Sequence, residues 1–341
     1  MAHTVTLQPS GHTYAVADDT TLLQAALDAG ITLPYGCRNG ACGACKGKVL
    51  EGQVDHGKAE AHALTPEDRA NGLPLTCCAQ PLSDIVLEVH EVSGQNDIPV
   101  KTMPCRVDEL RKVADDVMIL RLRLPTNERL QFVAGQYIEF LLPDGKRRAF
   151  SLANAPHEDE VLELHVRFIP GGNFTAQVFS TMKVKDILRF EGPLGTFRLR
   201  EQSAKPMVMV AGGTGFAPIK ALVEHAIHNH SERPIALYWG AKNRAELYLP
   251  ELPLQWATAY ANISYVPVLS EPAPEDDWRG RTGLVHQVVL DDFPDLAEYQ
   301  AYVCGAPVMV EAAQRDFIAH GLPATEFFAD IFSYAAKAQA K

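Results

Sequence analysis

Residues 36–45 read Gly36-Cys37-Arg38-Asn39-Gly40-Ala41-Cys42-Gly43-Ala44-Cys45, and Cys77 follows with 31 residues between it and Cys45. C-x4-C-x2-C with a distant fourth cysteine is the plant-type [2Fe–2S] spacing. Three thiolates from one tight loop and a fourth from afar converge on two irons, which makes the segment a one-electron carrier and gives Cys37, Cys42, Cys45 and Cys77 as its metal ligands. Gly36, Gly40 and Gly43 are expected to allow positive φ and to keep side chains off the sulfurs, so that backbone N–H groups reach them.

Two other uses of cysteine fit less well. A structural zinc site favours paired C-x2-C knuckles, whereas Cys77 and Cys78 are adjacent and form none. Disulfides are disfavoured by an odd total of 7 cysteines and by a start, MAHTVTLQPSGH, that has neither a basic n-region nor an apolar h-region. Reduced thiols imply the cytoplasm. Of the adjacent pair Cys77 is taken as the ligand, and Cys78 and Cys105 as packed thiols.

A length of 341 residues with 47% hydrophobic content predicts two or three domains. No run approaches 18 apolar residues, which argues against a membrane span. With 31 basic against 42 acidic residues the formal charge is −11, which argues against nucleic acid as a partner.

The first segment alternates in short strands around Pro9-Ser10-Gly11, with Val5, Leu7, Tyr14 and Val16 on one side. Asp19 or Thr20 is expected to cap a helix buried through Leu22, Leu23, Ala26 and Leu27, and Thr65 to cap a second one beginning at Pro66. Ile85, Leu87 and Val89 add a further strand. This is a small α+β module with the cysteine loop at its rim. After a stretch without periodicity, strands recur at 118–124, 136–142 and 161–168, the pattern of an antiparallel β-barrel. Then Met207-Val208-Met209-Val210-Ala211, a glycine turn at 212–215 and a helix with Pro218 in its first turn announce a parallel, doubly wound α/β domain, extended by strands at 235–239, 263–268 and 301–304. Such a turn lets a pyrophosphate approach backbone N–H groups at a helix N-terminus through Gly213, Thr214 and Gly215, although it lacks the GxGxxG spacing.

The order of modules and their motifs resemble, over essentially the whole chain, the fused ferredoxin–FAD–NAD(P)H reductases of the ferredoxin–NADP+ reductase superfamily. The resemblance implies a multidomain protein. A β-grasp ferredoxin spans 1–93, a linker 94–102, an antiparallel FAD-binding barrel 103–202, a nicotinamide-binding α/β domain 203–335, and a fraying tail 336–341. The flavin motif of that family appears as Arg148-Ala149-Phe150-Ser151. It implies Arg148 on the FAD pyrophosphate, Phe150 against the isoalloxazine and Ser151 beside N5; a guanidinium fork suits phosphate and an aromatic suits a ring face. His165-Val166-Arg167 and Gly171-Gly172-Asn173-Phe174-Thr175 match the family's second flavin strand and phosphate turn, so Asn173 and Thr175 join the expected cofactor residues. Cys304-Gly305-Ala306-Pro307-Val308-Met309 resembles the CGxxxM element whose cysteine lies near the nicotinamide, and Phe327-Phe328-Ala329-Asp330-Ile331-Phe332 the aromatic segment by the flavin, where Phe332 is a candidate contact and the resemblance does not single out one phenylalanine. Ser151 and Cys304 are the expected catalytic residues. In the family's nucleotide region Lys242 or Arg244 can meet a 2′-phosphate while Glu246 would repel it, which favours NADH over NADPH.

Electron counting gives the order of carriers. NADH delivers two electrons as a hydride and a [2Fe–2S] cluster takes one, so the flavin stands between them. The partner carries out the chemistry that follows. Tyr238-Trp239-Gly240-Ala241, Gly283-Leu284-Val285-His286-Gln287 and the Phe327–Phe332 segment resemble most the CDP-6-deoxy-glucoseen reductase group of 3,6-dideoxyhexose biosynthesis, which implies a pyridoxamine-dependent sugar dehydrase as electron acceptor. Leu75-Thr76-Cys77-Cys78-Ala79 and Asn243–Tyr248 resemble the reductase components of aromatic oxygenases as well, for which the partner is an oxygenase component.

Overall fold

The computed structural model describes residues 2–92 and 98–332. They fall into two compact units that meet at Pro99/Val100. Residues 94–97 of the expected linker and the whole expected tail lie outside the described residues, but strand pairing already begins at Lys101, inside the expected linker.

In the first unit, β1 (Ala2–Gln8) and β2 (Thr13–Ala17) form the expected hairpin, followed by α1 (Leu22–Asp28), β3 (Lys48–Glu51), β4 (Val54–Asp55), α2 (Pro66–Ala70), β5 (Gln80–Pro81) and β6 (Ile85–Glu88). The main sheet runs β2-β1-β6-β3, with β1 and β6 parallel. Alternation places Val5, Leu7, Tyr14, Val16, Ile85 and Leu87 in a core closed by Leu22, Leu23 and Ala26 of α1. Each fully buried Leu contributes about 1.5–3 kcal/mol. The cap of α1 is Thr21, whose hydroxyl accepts from the Gln24 N–H at 3.2 Å, and not Asp19 or Thr20; the chain needs one more residue to turn after Ala17, where Thr20 N–H bonds Ala17 O. Thr65 and Asp68 make a reciprocal capping box at α2.

In the second unit β7 (Lys101–Ala114), β8 (Val117–Arg123), β9 (Tyr137–Leu141), β10 (Arg147–Ser151), β11 (Val161–Arg167) and β12 (Ile187–Leu194) form a sheet of order β10-β9-β12-β7-β8-β11. A bridge between Leu152 and Leu164 joins its two edges into a barrel. α3 (Asn173–Ser180) adds Phe174 and Val178 to a core built on Phe140, Phe190 and Leu162.

The α/β part comprises β13 (Met207–Gly212), α4 (Phe216–His228), β14 (Ile235–Ala241), α5 (Glu251–Ala259), β15 (Ile263–Leu269), β16 (Arg281–Thr282), α6 (Val285–Asp292), β17 (Gln300–Gly305), α7 (Pro307–Ala319) and β18 (Phe327–Ile331). Its strands are all parallel, in the order β16-β15-β14-β13-β17-β18. Chain order reverses between β13 and β17. In a doubly wound sheet that switch point opens a crevice at the carboxyl ends of the strands, and here those ends carry Gly212–Gly215 and Cys304–Gly305.

Candidate functional site

The cysteine loop lies between α1 and β3. Cys42, Cys45 and Cys77 are buried and Cys37 is half-buried. The thiols influence one another in two groups, Cys37 with Cys42, and Cys45 with Cys77, whose Sγ also lies 3.6 Å from Cys78 Sγ. The bond to Cys42 lowers Cys37 to about 6, and the same bond with burial raises Cys42. The bond to Cys77 lowers Cys45 and raises Cys77. The Cys37 N–H donates to Cys42 Sγ and the Ala41 N–H to Cys37 Sγ, both at 3.3 Å. Paired, buried thiols with N–H donors already aimed at sulfur fit a two-iron cluster held by two thiolates per iron. Gly40 and Gly43 adopt the expected positive φ. Gly36 does not; its role is space, since a Cβ there would sit 3.1 Å from Cys42 Sγ.

On the barrel, Arg147 is taken up by Glu139 and Glu191 at 3.2 and 2.8 Å. Arg148 makes no ion pair among the described residues and donates only to the Arg147 carbonyl, which leaves its charge for an anion. α3 packs on the same strand through Phe174 against Phe150, and begins with Gly172 in the cap position and no side-chain cap, so its first N–H groups also await an acceptor. Thr175 holds that turn: its Oγ1 accepts from the Ile169 N–H at 3.1 Å and lies 3.2 Å from the Gly172 carbonyl. Phe150 is half-buried against Phe140 and Phe174, with ring centroids 5.8 and 5.4 Å away. Fold and donor set fit a flavin dinucleotide.

Ser151, Cys304 and Asp330 are brought together from β10, β17 and β18. Ser151 Oγ donates to Asp330 Oδ2 at 2.8 Å, and Cys304 Sγ stands 3.9 Å from the same oxygen. Burial, with the Asp330 charge, pushes the Cys304 thiol well up, so it stays protonated. Asp330 was not expected from the sequence, although a single acid within the apolar run Phe327–Phe332 is the kind of signal that marks one. Phe332 donates its N–H to the Gly305 carbonyl at 2.9 Å, which puts it beside the Cys304 strand end. Phe328 instead packs against Tyr302 and under Arg200.

The crevice at the switch point depends on close approach. A Cβ on Gly215 would lie 2.1 Å from the Cys304 carbonyl oxygen, and one on Gly212 2.5 Å from Met309 Sδ. Trp239 Nε1 donates to the Gly213 carbonyl at 2.9 Å and its ring stacks on Phe216 at 3.9 Å, which braces the turn. Thr214 is buried. Arg167, at the end of β11, lays its guanidinium over Gly213, Nη2 being 3.1 Å from the ideal Cβ position. It pairs with Asp116 at 3.4 Å and with Glu246 at 3.3 Å, and its buried Nη2 has no hydrogen-bond partner. Glu246, expected to oppose a 2′-phosphate, thus has its charge matched by Arg167. Arg244 is exposed; its backbone N–H donates to Asp276 Oδ1 and its Nη1 to the Asp276 main-chain carbonyl, both at 3.2 Å.

His165 faces inward rather than into an open site. Its Nδ1 accepts from Tyr248 Oη at 2.8 Å and its Nε2 donates to Glu163 at 3.2 Å; burial lowers its pKa and keeps it neutral. Val166 is buried between these strand neighbours. Glu163 also meets Lys220 of α4 at 3.3 Å, and Lys220 Nζ donates to Glu224 at 2.9 Å and to the Ala153 carbonyl at 3.0 Å. Burial raises the Glu163 pKa, but His165 and Lys220 outweigh it and hold the carboxyl at about 2. For Glu224 burial wins, and the group rises to about 7. This buried network ties the barrel strand that follows the Arg148–Ser151 motif to the helix that follows the glycine turn.

The comparisons with known proteins match these three regions in the same order. Residues 5–82 match a 2Fe-2S iron-sulfur cluster binding domain, 104–199 an oxidoreductase FAD-binding domain and 209–315 an oxidoreductase NAD-binding domain. The chain is 43% identical to the CDP-6-deoxy-L-threo-D-glycero-4-hexulose-3-dehydrase reductase of Yersinia pseudotuberculosis, over 97% of this chain and 99% of that one. It is 37% identical to the reductase component of phenol 2-monooxygenase from a Pseudomonas species, over 98% of this chain and 96% of that one. The solved structure of the Amycolatopsis cytochrome P450 reductase GcoB is similar at a TM-score of 0.79 and 36% identity, covering 97% of this chain and 98% of that chain. No helix among the described residues is long and apolar enough to cross a membrane.

Proposed function

Because this chain belongs to the [2Fe–2S] flavoprotein reductases, oxidoreductases that pass electrons from NAD(P)H through FAD to an iron–sulfur cluster and on to a partner enzyme, we propose that its partner is a deoxyhexulose 3-dehydrase acting on a CDP-linked sugar. The observation that carries this reading is the 43% identity, end to end, with a reductase of that name. The division near residues 93 and 202 and a cytoplasmic location belong to the same proposal.

The residues have the following roles in it. Cys37, Cys42, Cys45 and Cys77 hold the cluster. Arg148 and the uncapped N-terminus of α3 neutralise the flavin pyrophosphate, with Gly171, Gly172 and Asn173 shaping the turn and Ala149 and Phe150 lining the ring. Bound FAD supplies the exchange between a two-electron donor and one-electron exits. Ser151 is oriented by Asp330 through the 2.8 Å hydrogen bond, so its hydroxyl proton is fixed at one place beside the ring. Cys304 keeps its proton and so forms a neutral, compact wall instead of a nucleophile. The Gly213–Gly215 turn admits the nicotinamide dinucleotide pyrophosphate, with Arg167 Nη2 free to donate to it. Gly305, Met309 and Phe332 close the crevice. NADH is the preferred donor, because the Asp276 carboxylate accepts from the Arg244 backbone N–H and so stands beside the cation that would have to meet a 2′-phosphate, while the guanidinium itself is engaged by the Asp276 main-chain carbonyl.

The test supplies the purified protein and NADH to a CDP-6-deoxy-L-threo-D-glycero-4-hexulose 3-dehydrase with its substrate, and in parallel to a phenol monooxygenase lacking its own reductase. NADH oxidation coupled to product is expected in the first mixture. Coupling only in the second would replace the sugar dehydrase by an oxygenase component.

A further inference from the structure

Beside the distant ligand Cys77 stands one thiol more than a [2Fe–2S] cluster needs, Cys78. Cys78 Sγ lies 3.6 Å from Cys77 Sγ, within hydrogen-bonding range for sulfur. Its place is imposed on both sides. A Cβ on Gly40 would stand 2.7 Å from Cys78 Sγ, and one on Gly57 2.3 Å from the Cys78 carbonyl oxygen. The Cys78 N–H is bound to the Leu75 carbonyl at 2.9 Å. The half-buried side chain therefore lies against Gly40 of the loop that carries the ligands, where only a glycine leaves it room.

We propose that the Cys78 thiol donates a hydrogen bond to the Cys77 sulfur and thereby raises the reduction potential of the cluster; this rests on Cys77 being the ligand. A sulfur bound to iron carries no proton, so across the 3.6 Å gap the donor is Cys78. Reduction adds one electron whose charge spreads onto the ligand sulfurs, and a donor aimed at one of them stabilises the reduced form more than the oxidised form. The proton stays on Cys78 throughout, and the electron is the one that the established chain of carriers delivers.

The experiment uses the full-length holoprotein and its Cys78→Ala, Cys78→Ser and Cys77→Ser variants, with iron content, visible absorbance and an EPR-monitored redox titration of the cluster. Cys78→Ala is expected to keep its iron and to show roughly threefold to tenfold less reduced cluster at a fixed potential, a downward shift of roughly 30–60 mV at 59 mV per tenfold for one electron. Cys78→Ser, which keeps a donor, is expected to recover most of that shift. Cys77→Ser is expected to lose the absorbance. An unchanged potential in iron-replete Cys78→Ala overturns the hydrogen bond. Loss of iron from Cys78→Ala with iron retained in Cys77→Ser overturns the ligand assignment itself, and the proposal with it.

Discussion

Replacing Lys220 by Met removes the buried cation from the network of Glu163, His165, Tyr248 and Glu224, leaving the half-exposed Arg121 at 3.8 Å from Glu163, while keeping most of the side chain's length. Lys220 Nζ is 3.3 Å from Glu163, 2.9 Å from Glu224 and 3.0 Å from the Ala153 carbonyl. At an effective dielectric of about 20, each carboxylate contact is worth about 5 kcal/mol of Coulomb attraction. Much of that offsets the desolvation of the ammonium, so the net loss is set by the charge left behind, roughly 3–5 kcal/mol for a buried pair broken on one side. Glu224 rises to about 7 even beside Lys220, so it can take a proton when the cation goes. Glu163, which His165 and Lys220 together hold low, keeps the His165 donor and the half-exposed Arg121 at 3.8 Å as its remaining partners. The expected destabilisation is therefore near the lower bound, about 3 kcal/mol. Residues 100–341 form the affected unit; at about 2–4 °C per kcal/mol for a unit of this size, its Tm falls by about 6–12 °C. Thermal release of FAD, followed by flavin fluorescence in the full-length protein, reads this directly. The double variant Lys220→Met/Glu163→Gln, in which no carboxylate is stranded, should regain more than half of the loss. A single variant within about 2 °C of the parent, or a double variant no better than the single, would refute the reasoning that a paired charge holds the barrel to α4.

Two further outcomes follow from the same unit. Glu224 has a folded pKa of about 7, above its unfolded value, so its contribution to stability is fully present below about 4.5 and is lost as pH rises toward 7; Glu224→Gln should remove that part of the pH dependence and raise the Tm at pH 8, and an unaltered Tm–pH curve would contradict it. Arg148→Ala should cut bound FAD per chain at least tenfold, because a free guanidinium on a phosphate is lost and Arg147 is already committed to Glu139 and Glu191; cluster absorbance should be unchanged, and equal flavin content in both proteins would show that the arginine serves another purpose.

Much of the site was legible in the chain itself, and for one physical reason. Where chemistry is made by neighbours in sequence, spacing states it. The Cys37–Cys45 loop, the glycine turn at 212–215 and the Arg148–Ser151 strand each put their functional groups within a few residues, and alternation of Val5/Leu7 or Leu162/Leu164 marks the strands that carry them. Helix starts are less exact, since Asp19, Thr20 and Thr21 can all cap and only the turn after Ala17 chooses Thr21.

Tertiary structure decided what depends on residues far apart. Asp330 meets Ser151 across 179 positions, and nothing periodic announces that contact. Lys220 lies in an apolar helix stretch, Ala217–Val223, where a lone cation reads as an exposed residue until Glu163 and Ala153 arrive from the barrel to satisfy it. Glu246 illustrates the converse: read locally it is a free charge beside the nucleotide, and the fold neutralises it with Arg167 from another sheet. A buried charge is stable only when its partners are supplied in three dimensions. Composition and spacing therefore identify the carriers, while the partners that set their protonation and position come from the packing of the barrel against the parallel sheet.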